Sequence, residues 1–356
     1  ERYMVRKLIL DSILYWAKEY HIDGFRFDLM GLHDIETMHI IRKELDAIDP
    51  SILMYGEGWT GGGTPLKSDQ AAIKQNIIKF EKSQIAAFSD DTRDGVKGHV
   101  FNINERGYIN GREGLEDTIK FCIVGATGQL GINYDRVIYS HWSWANEPYQ
   151  CINYISAHDN YTLWDKLTMS NREDSIEKRK SMNKLAAAIV LTSQGIPFFQ
   201  AGEEFLRSKK NDDGSFNHDS YNAPDKVNGL DWNRAYDYRD IVEYYRGLIK
   251  LRKKYRAFRM NSSEEIRKNL SFLNKGESFY KDNVVAYKIE DNSGRNLCNT
   301  IVVIFNPNDE ETFIDLKECG WSVLVNKEKA GVEEIYSIEG NNITVPSKCA
   351  HVLIKK

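Results

Sequence analysis

The sequence contains no apolar run long enough to cross a membrane. A membrane-spanning helix needs roughly 18 or more largely apolar residues, whereas the longest candidate here is residues 185–191. Charge of one sign is not in excess either, since 48 Lys and Arg stand against 52 Asp and Glu, a formal net charge of −4. Proteins that bind phosphate backbones concentrate Lys and Arg. We therefore expect neither a membrane nor a nucleic acid as a partner.

Cysteine is also scarce. Five cysteines are scattered along the 356 residues without a CxxC pair, namely Cys122, Cys151, Cys298, Cys319 and Cys349. An odd and sparse set predicts free thiols, and it argues against a disulfide framework or a zinc site. Free thiols favour the cytoplasm over an oxidising compartment, although the sequence leaves the compartment itself open.

The first 261 residues alternate between helical and strand patterns. Apolar residues at helical spacing predict a first helix whose core face consists of Val5, Leu8, Ile9, Ile13, Trp16 and Ala17. Further helices are predicted at residues 35–48, 184–192 and 241–255, and strands at residues 25–28, 52–55, 151–156 and 196–200. Such alternation is typical of βα units around a parallel sheet.

The pattern changes from about residue 262. Short β-rich segments then follow at residues 284–289, 300–305, 322–325, 343–345 and 351–354, with turns between them. These segments predict a separate antiparallel β-sandwich. We therefore divide the chain into an α/β domain, residues 1–261, and a β-sandwich domain, residues 262–356.

Arg26 and Asp28 lie at the end of the first predicted strand. Alternate residues of a strand face the same side, so the two side chains should be neighbours. A fixed guanidinium favours the ionised form of an adjacent carboxyl, and an oriented carboxylate at a strand's C-terminal end suits a nucleophile. A purely structural Arg–Asp pair is the alternative, and these two residues alone favour it.

Glu57 ends the second predicted strand, between Gly56 and Gly58, and Trp59 follows. The glycines would let a substrate approach the backbone closely, and Trp59 offers a face for stacking on a sugar. An apolar strand end favours the protonated carboxyl that a general acid needs. A glutamate in a Gly-rich turn is the alternative, and it would be preferred for Glu57 alone.

The segment SAHDN, residues 156–160, follows the third predicted strand. Its His158–Asp159 pair could ligate a metal, form part of a catalytic triad or bind sugar hydroxyls. No Gly-x-Ser-x-Gly motif accompanies the pair and no second histidine lies at ligand spacing, which favours sugar binding. Asp28, Glu57 and Asp159 thus follow strand ends that meet at one rim. Glycoside hydrolysis needs such a set of a nucleophile, a proton donor and groups that grip ring hydroxyls.

Three segments resemble conserved regions of the α-amylase superfamily. They are GFRFDLMG at residues 24–31, YGEGW at residues 55–59 and SAHDN at residues 156–160. In order and spacing they are similar to the second, third and fourth conserved regions of that superfamily.

The resemblance implies a role for five side chains. Asp28 would be the catalytic nucleophile and Glu57 the general acid/base. Asp159 would grip hydroxyls and distort the sugar at the cleavage subsite, while Arg26 and His158 would support these groups.

A longer stretch resembles type I pullulanases in particular. It comprises QGIPFFQAGEEF at residues 194–205, DSYNAPD at residues 219–225 and VNGLDW at residues 227–232, and simple α-amylases lack such a string. Ala223 stands where the family more usually has serine. The segment FSDDTRDGVKG, residues 88–98, is similar too, so the resemblance covers nearly the whole chain.

This resemblance implies a retaining hydrolase that cleaves α-1,6-glucosidic linkages in pullulan, amylopectin, glycogen or limit dextrins. We expect sugar contacts from Trp59, Asn160, Tyr221, Asn222 and Asp225, with local packing as the alternative for each. The alternative functions are another superfamily hydrolase, of the isoamylase, neopullulanase or α-amylase type, and a non-catalytic glycan-binding relative. The mechanism requires no cofactor. Calcium sites occur in the superfamily, but the sequence has no EF-hand spacing.

The fold implied by the resemblance is a (β/α)8 TIM barrel followed by the antiparallel β-sandwich. The strand that ends at Asp28 would be the fourth, so this chain would supply strands four to eight and lack the first three. Five parallel strands without closure leave open sheet edges. We therefore expect an N-terminal segment of the same polypeptide to be a partner of this chain, and we expect the chain alone to be inactive.

Overall fold

The computed structural model describes residues 2–290, 298 and 300–355. In the first part of the chain, helices alternate with short strands. The elements are α1 (Tyr3–Glu19), β1 (Gly24–Phe27), α2 (Ile35–Ile48), β2 (Leu53–Gly56), β3 (Ala86–Phe88), α3 (Asp90–Lys97), α4 (Glu116–Ile123), β4 (Cys151–Asn153), α5 (Leu163–Ser170), α6 (Ile176–Thr192), β5 (Ile196–Pro197), α7 (Asp225–Asn228), α8 (Asn233–Asp237) and α9 (Arg239–Lys254).

Strands β1 to β5 form one parallel sheet, in the order in which they occur along the chain. The pairing of β1 with β2 runs from Gly24↔Leu53 to Phe27↔Gly56, and each later pair is parallel as well. Parallel neighbours require crossover connections, which contain α2 between β1 and β2, α3 and α4 between β3 and β4, and α5 and α6 between β4 and β5, whereas the β2–β3 connection contains a 3-10 helix (Lys74–Phe80). The structure therefore shows the βα arrangement that the sequence predicts, with β1 and β5 at the two edges.

Two strands are shorter than predicted and one was not predicted. β4 covers only the first half of residues 151–156, and β5 covers two of residues 196–200. β3 consists of Ala86, Ala87 and Phe88, a run too short for a pattern to be recognised, yet all three residues are buried between β2 and β4. Pairing with neighbouring strands, and not local sequence, therefore specifies these short strands.

Helix α1 buries less of its apolar face than predicted. Ile13 and Ala17 are buried, but Val5, Leu8 and Trp16 are 52%, 70% and 42% exposed. The helix packs on α2, and the strand that follows it, β1, is an edge of the sheet. Much of the apolar face therefore lacks a neighbour within the described residues.

The second part of the chain is built from antiparallel strands. Helix α10 (Ser263–Asn269) leads into β6 (Leu270–Phe272), β7 (Val285–Glu290), β8 (Thr300–Asn306), β9 (Thr312–Asp315), β10 (Trp321–Val325), β11 (Tyr336–Ile338), β12 (Asn342–Val345) and β13 (Cys349–Lys355). Six strands form a sheet in the order β11-β10-β13-β8-β7-β6, and β12 pairs with β9. The predicted antiparallel architecture is confirmed, although α10, β6, β9 and β11 were not predicted.

Strand β8 is buried on both faces of the six-stranded sheet. Ile301, Val303 and Phe305 belong to the same hydrophobic cluster as residues of α6 and α9, whereas Val302 and Ile304 pack with residues of β9 and β12. A strand buried on both faces is a continuous apolar run. The sequence predicted a separate β-sandwich. In the structure, the β-rich part shares a hydrophobic core with the helices. The boundary at residue 261 stays a prediction.

The structure also tests the expectations about membrane-spanning segments and cysteines. Every helix within residues 2–290 and 300–355 is too short or too polar to span a lipid bilayer. Cys122, Cys151 and Cys349 are buried free thiols, and Cys319 is an exposed one. The free-thiol prediction is confirmed for these four residues.

Candidate active site

A cleft of about 1320 Å³ opens at the C-terminal ends of the parallel strands. Asp28 follows β1, Glu57 follows β2, Asp90 follows β3, and Asp159 lies beyond the end of β4. Eight of the ten predicted site residues line this cleft, namely Arg26, Asp28, Glu57, Trp59, His158, Asp159, Asn160 and Tyr221. The predicted convergence of three strand ends at one rim is therefore seen in the structure.

Arg26 contacts both of the predicted catalytic carboxylates. Its Nη1 donates to Asp28 Oδ1 at 2.7 Å, and its Nη2 lies 2.7 Å from Glu57 Oε1. The Asp28 side chain is 76% exposed, whereas that of Glu57 is 10% exposed. The fork of the guanidinium thus holds an open carboxylate and a buried one side by side. The contact with Asp28 was predicted, and the contact with Glu57 was not.

Neighbouring backbone fixes the position of Glu57. Its N–H donates to the Phe27 oxygen at 3.1 Å, and the Lys74 N–H donates to the Gly58 oxygen at 2.8 Å. A Cβ on Gly58 would lie 2.7 Å from the Lys74 nitrogen, and a Cβ on Gly56 would lie 2.7 Å from the Phe27 oxygen. The glycines therefore permit close packing of protein backbone, which corrects the prediction that they leave room for substrate.

The side chain of Lys74 links this loop to the residues after β3. Its ammonium contacts Asp90 and lies 2.9 Å from Asp91 Oδ2. Burial disfavours the charged form, but the attraction of the two carboxylates outweighs burial and raises the pKa of Lys74. An ion cluster that the sequence did not indicate therefore holds the ends of β2 and β3 together.

The residues after Asp28 and Asp159 share an uncommon backbone conformation. Leu29 has a φ of 41° and Asn160 a φ of 60°, in the left-handed region that few residues other than glycine adopt. At Leu29 this conformation has a visible result, because its N–H donates to Glu57 Oε2 at 2.9 Å. Both oxygens of Glu57 are thus held, one by Arg26 and one by Leu29.

The opposite part of the cleft carries the other predicted residues. His158 Nε2 lies 3.4 Å from Asp159 Oδ1, and both side chains are open to solvent. Tyr221 is exposed and lines the same cleft. Asn222 and Asp225 are exposed but are not among the residues that line it, so their sugar contacts stay predictions.

Arg93 is a cleft residue that was not predicted. Its guanidinium donates two hydrogen bonds to Asp94, at 2.7 and 3.0 Å, and one to the Tyr154 hydroxyl at 3.0 Å. It also lies 5.9 Å from the ring centroid of Trp59, within the range of a cation–π contact. Arg93 lies within residues 88–98, a segment noted in the sequence for its resemblance, but the strand before it, β3, carries no pattern that would have placed Arg93 at a strand end.

Two buried ionisable groups lie in or below the cleft. Lys97 lines the cleft, and burial lowers its pKa to about 7. Burial raises the pKa of Glu203 to about 7 as well, and Tyr245 donates a hydrogen bond to Glu203 Oε1 at 3.1 Å. Each group is therefore divided between its charged and neutral forms near neutral pH.

The donor set of the cleft suits a sugar. Within the described part of the chain, no group of three or more His, Cys, Asp or Glu side chains is arranged to hold a metal ion. The cleft offers carboxylates, three histidines (His99, His158 and His218) and aromatic rings. Carboxylates can protonate and attack a glycosidic centre, while the aromatic rings offer flat apolar faces.

Comparisons with known proteins agree on one family. Residues 266–329 match the family model "Pullulanase, all-beta domain". The pullulanase of Bacillus subtilis (strain 168) is 36% identical over 304 residues, which are 85% of this chain and 39% of that protein.

Solved structures give a similar result over the whole chain. The pullulanase from Bacillus acidopullulyticus has a TM-score of 0.88 at 37% identity. The match covers 99% of this chain and 40% of that pullulanase. The pullulanase from Paenibacillus barengoltzii, in complex with maltohexaose and α-cyclodextrin, has a TM-score of 0.86 at 42% identity. This match covers 100% of this chain and 51% of that pullulanase. The chain thus spans between 39% and 51% of the length of these relatives.

Proposed function

Because the chain is homologous to the C-terminal part of pullulanases, we propose that it carries the catalytic carboxylates of a starch-debranching glycoside hydrolase. The reaction is retaining hydrolysis of α-1,6-glucosidic linkages in pullulan, amylopectin, glycogen or limit dextrins. The observation that carries the proposal is the pair Asp28 and Glu57, held by one guanidinium within the cleft. The relative crystallised with maltohexaose supports an α-glucan as the ligand.

In the first step, Glu57 protonates the glycosidic oxygen while Asp28 attacks the anomeric carbon. The exposure of Asp28 fits a group that must reach the substrate. The burial of Glu57 in the cleft wall favours the protonated carboxyl that a general acid needs. Retaining enzymes place the two carboxyls about 5–5.5 Å apart, and two arms of a single guanidinium are compatible with this spacing.

In the second step, water attacks the glycosyl ester on Asp28. Glu57 now acts as the base that takes the proton of this water, and the Asp28 carboxylate leaves. Asp159 and His158 grip ring hydroxyls of the distorted sugar. Trp59 offers its ring for stacking, and the Arg93 cation lies 5.9 Å from the centroid of this ring.

We assign the parallel sheet to strands four to eight of a (β/α)8 barrel. The sequential strand order supports this assignment. Three further βα units would pair with the edges at β1 and β5 and cover the exposed face of α1. Beside β5, a groove of about 630 Å³ is lined by apolar Ile196, Pro197 and Phe199 and by basic Arg256 and Arg259. An N-terminal segment of the polypeptide is therefore proposed as a partner.

The test measures hydrolysis of pullulan and of amylose. The active form is a chimera in which this chain replaces the matched part of the Bacillus subtilis relative, and the 356-residue chain is assayed alone in parallel. We expect maltotriose from pullulan with the chimera only. Asp28→Asn should abolish this activity, because the nucleophile is lost, whereas Asp282→Asn, a matched change of an exposed carboxylate in the β-rich part, should preserve it.

Three results would contradict the proposal. Cleavage of amylose with pullulan untouched would assign the chain to the α-amylase type. Activity that survives Asp28→Asn would show that Asp28 is not the nucleophile. Binding of maltohexaose without hydrolysis in any sample would favour the non-catalytic glycan-binding relative.

A further inference from the structure

Lys209 connects two loops that form one side of the cleft. It is 1% exposed, and its Nζ donates to the His158 backbone oxygen at 2.6 Å and to Ser220 Oγ at 2.6 Å. His158 directly precedes Asp159, and Ser220 directly precedes Tyr221. Because Asp159 and Tyr221 both line the cleft, one buried ammonium contacts the residues that directly precede two candidate substrate contacts.

The backbone of Lys209 is itself fixed. Its N–H donates to Asp165 Oδ2 at 2.8 Å, and its carbonyl accepts from the Asn217 N–H at 2.8 Å. Asp165 lies in the first turn of α5 and also accepts from Ser208 Oγ at 2.5 Å. The ammonium therefore projects from a backbone anchored to a helix, so its position can define where the two loops lie.

Energetics favour a single arrangement of these loops. A buried ammonium is costly unless oxygen acceptors surround it. The two acceptors of Lys209 belong to loops about 60 residues apart in the sequence, so satisfying the ammonium brings the loops together. The second loop is also braced internally, because Asn228 Nδ2 donates to the Ser220 oxygen at 2.6 Å and to the Ala223 oxygen at 3.1 Å.

We propose that Lys209 is a positioning residue that sets the separation between Asp159 and Tyr221 in the cleft. Its consequence for a glucan rests on the proposed function, but the connection between the loops does not. Without the ammonium, each loop keeps its local contacts and loses the shared donor. Loss of contacts that bind the substrate equally in the ground state and the transition state raises KM and leaves kcat unchanged. We expect a rise of roughly 10-fold or more in KM, with a smaller change in kcat.

The charge of Lys209 gives a second readout. Burial and the nearby Arg207 lower its pKa to about 8, and the carboxylates Asp159 and Asp165 only partly oppose this. Hydrogen bonds from a charged donor are roughly twice as strong as those from a neutral one. In the wild-type chimera, KM should therefore increase as the pH is raised above 8, because Lys209 loses its charge. The increase in KM should be smaller in Lys209→Met.

The experiment compares variants of the 356-residue chain by hydrogen exchange. Lys209→Met removes the ammonium and keeps an unbranched apolar stem, and Ser220→Ala removes one of its acceptors. Lys348→Met is the matched control, because Lys348 is a buried lysine of the β-rich part that donates to the Pro307 oxygen. The readout is the exchange rate of the hydrogen-bonded amides in residues 217–223.

We expect exchange in this segment to accelerate roughly 10-fold in Lys209→Met and less in Ser220→Ala, while Lys348→Met leaves it unchanged. The double variant should exchange no faster than Lys209→Met, because both changes break one connection. Lys209→Arg, which restores a cationic donor, should recover part of the protection and part of the KM.

Two outcomes would overturn the inference. One is unchanged exchange in both Lys209→Met and Ser220→Ala. The other is faster exchange over the whole chain, which would indicate general destabilisation and no specific connection. Failure of the proposed function would look different, because the wild-type chimera would then leave pullulan intact while the exchange data still decided the role of Lys209.

Discussion

The two parts of the molecule differ in what they bury. In the β-rich part, the buried charged or basic side chains among residues 263–290, 298 and 300–355 are Lys348 and His351. The cleft side of the α/β part buries many more, including Glu57, Lys74, Asp91, Asp94, Lys97, Asp165, Lys166, Glu203 and Lys209. Buried charge is weak support for a fold, because desolvation offsets much of the attraction.

This difference indicates a division of labour within one structure. The β-rich part contributes a sheet with apolar residues on both faces, and one face packs on α6 and α9. The α/β part can then carry left-handed residues such as Leu29 and Asn160 and a cluster of buried charges at its cleft. Departures from local rules at a functional site are expected when other regions compensate.

The largest expected effect tests the cleft through Arg26→Lys. A lysine is a point charge without the planar fork, so it cannot hold Asp28 and Glu57 together. We expect kcat of the chimera on pullulan to fall about 10²–10³-fold, the size of losing one preorganised donor. Arg267→Lys in the exposed part of α10 is the control. An unchanged kcat in Arg26→Lys would show that the shared guanidinium is not required.

The next prediction concerns the pH dependence of the free energy of unfolding, and the variant that tests it is Lys97→Met. The pKa of Lys97 is about 7 in the folded chain, below the ordinary lysine value of 10.5, so the unfolded chain binds more protons between these two values. The free energy of unfolding should therefore rise from pH 7 to pH 10.5. The charged groups that face Lys97 are Arg93, Asp94, Lys166 and Glu203.

Urea unfolding at pH 7 and pH 9 measures this contribution. We expect the wild-type chain to gain about 1–2 kcal/mol from Lys97 over this interval, and the variant to lose that gain. Lys275→Met, a change of an exposed lysine in the β-rich part, should keep the wild-type dependence. An equal gain in Lys97→Met would contradict the shifted pKa.

A smaller effect is expected where the two parts meet. The buried Tyr287 of β7 donates a hydrogen bond to the Thr192 oxygen at the end of α6, at 2.9 Å. Tyr287→Phe leaves this carbonyl without its donor, and we expect a loss of about 1–3 kcal/mol in urea unfolding. Tyr280→Phe, at an exposed position, is the control. Separate unfolding transitions for the two parts would show that the shared core does not couple them.

The smallest effect is expected on α1, with Leu8→Gln. Because Leu8 is 70% exposed, the change should alter stability of the 356-residue chain by no more than about 0.5 kcal/mol. In the chimera the proposed preceding βα units cover this face, and the same change should then destabilise. Equal effects in both proteins would argue against that covering. Urea unfolding of the two pairs measures the difference.

Local patterns were sufficient to predict much of the fold. Helix α2 and strand β1 have apolar residues at regular spacing, β2 and β8 lie in short apolar runs, and the carboxylates at Asp28 and Glu57 follow strand ends directly. Strand β3 could not be predicted, because three residues carry no period and only burial between two strands defines it. The exposure of Leu8 could not be predicted either, since helical spacing shows which residues share a face and not whether a neighbour covers it.

The site was predictable in its residues and less so in its contacts. The Arg26–Asp28 contact follows from alternation within one strand. The Arg26–Glu57 contact joins two strands, and the Lys209 contacts join three segments far apart in sequence, so both depend on the three-dimensional packing. Arg93 was not predicted because the strand that precedes it, β3, has too few residues to show a pattern.

The place of β13 in its sheet has a consequence for the order in which the molecule can form. β13 follows every other strand along the described chain, yet it lies between β10 and β8, paired from Cys349↔Asn306 to Lys355↔Thr300. During synthesis, one edge of β8, with its backbone N–H and C=O groups, must therefore stay unpaired until β13 leaves the ribosome. Such late, non-local pairing slows folding and prolongs exposure to aggregation. A stop codon before β13 would leave the sheet as two unconnected parts, β11-β10 and β8-β7-β6.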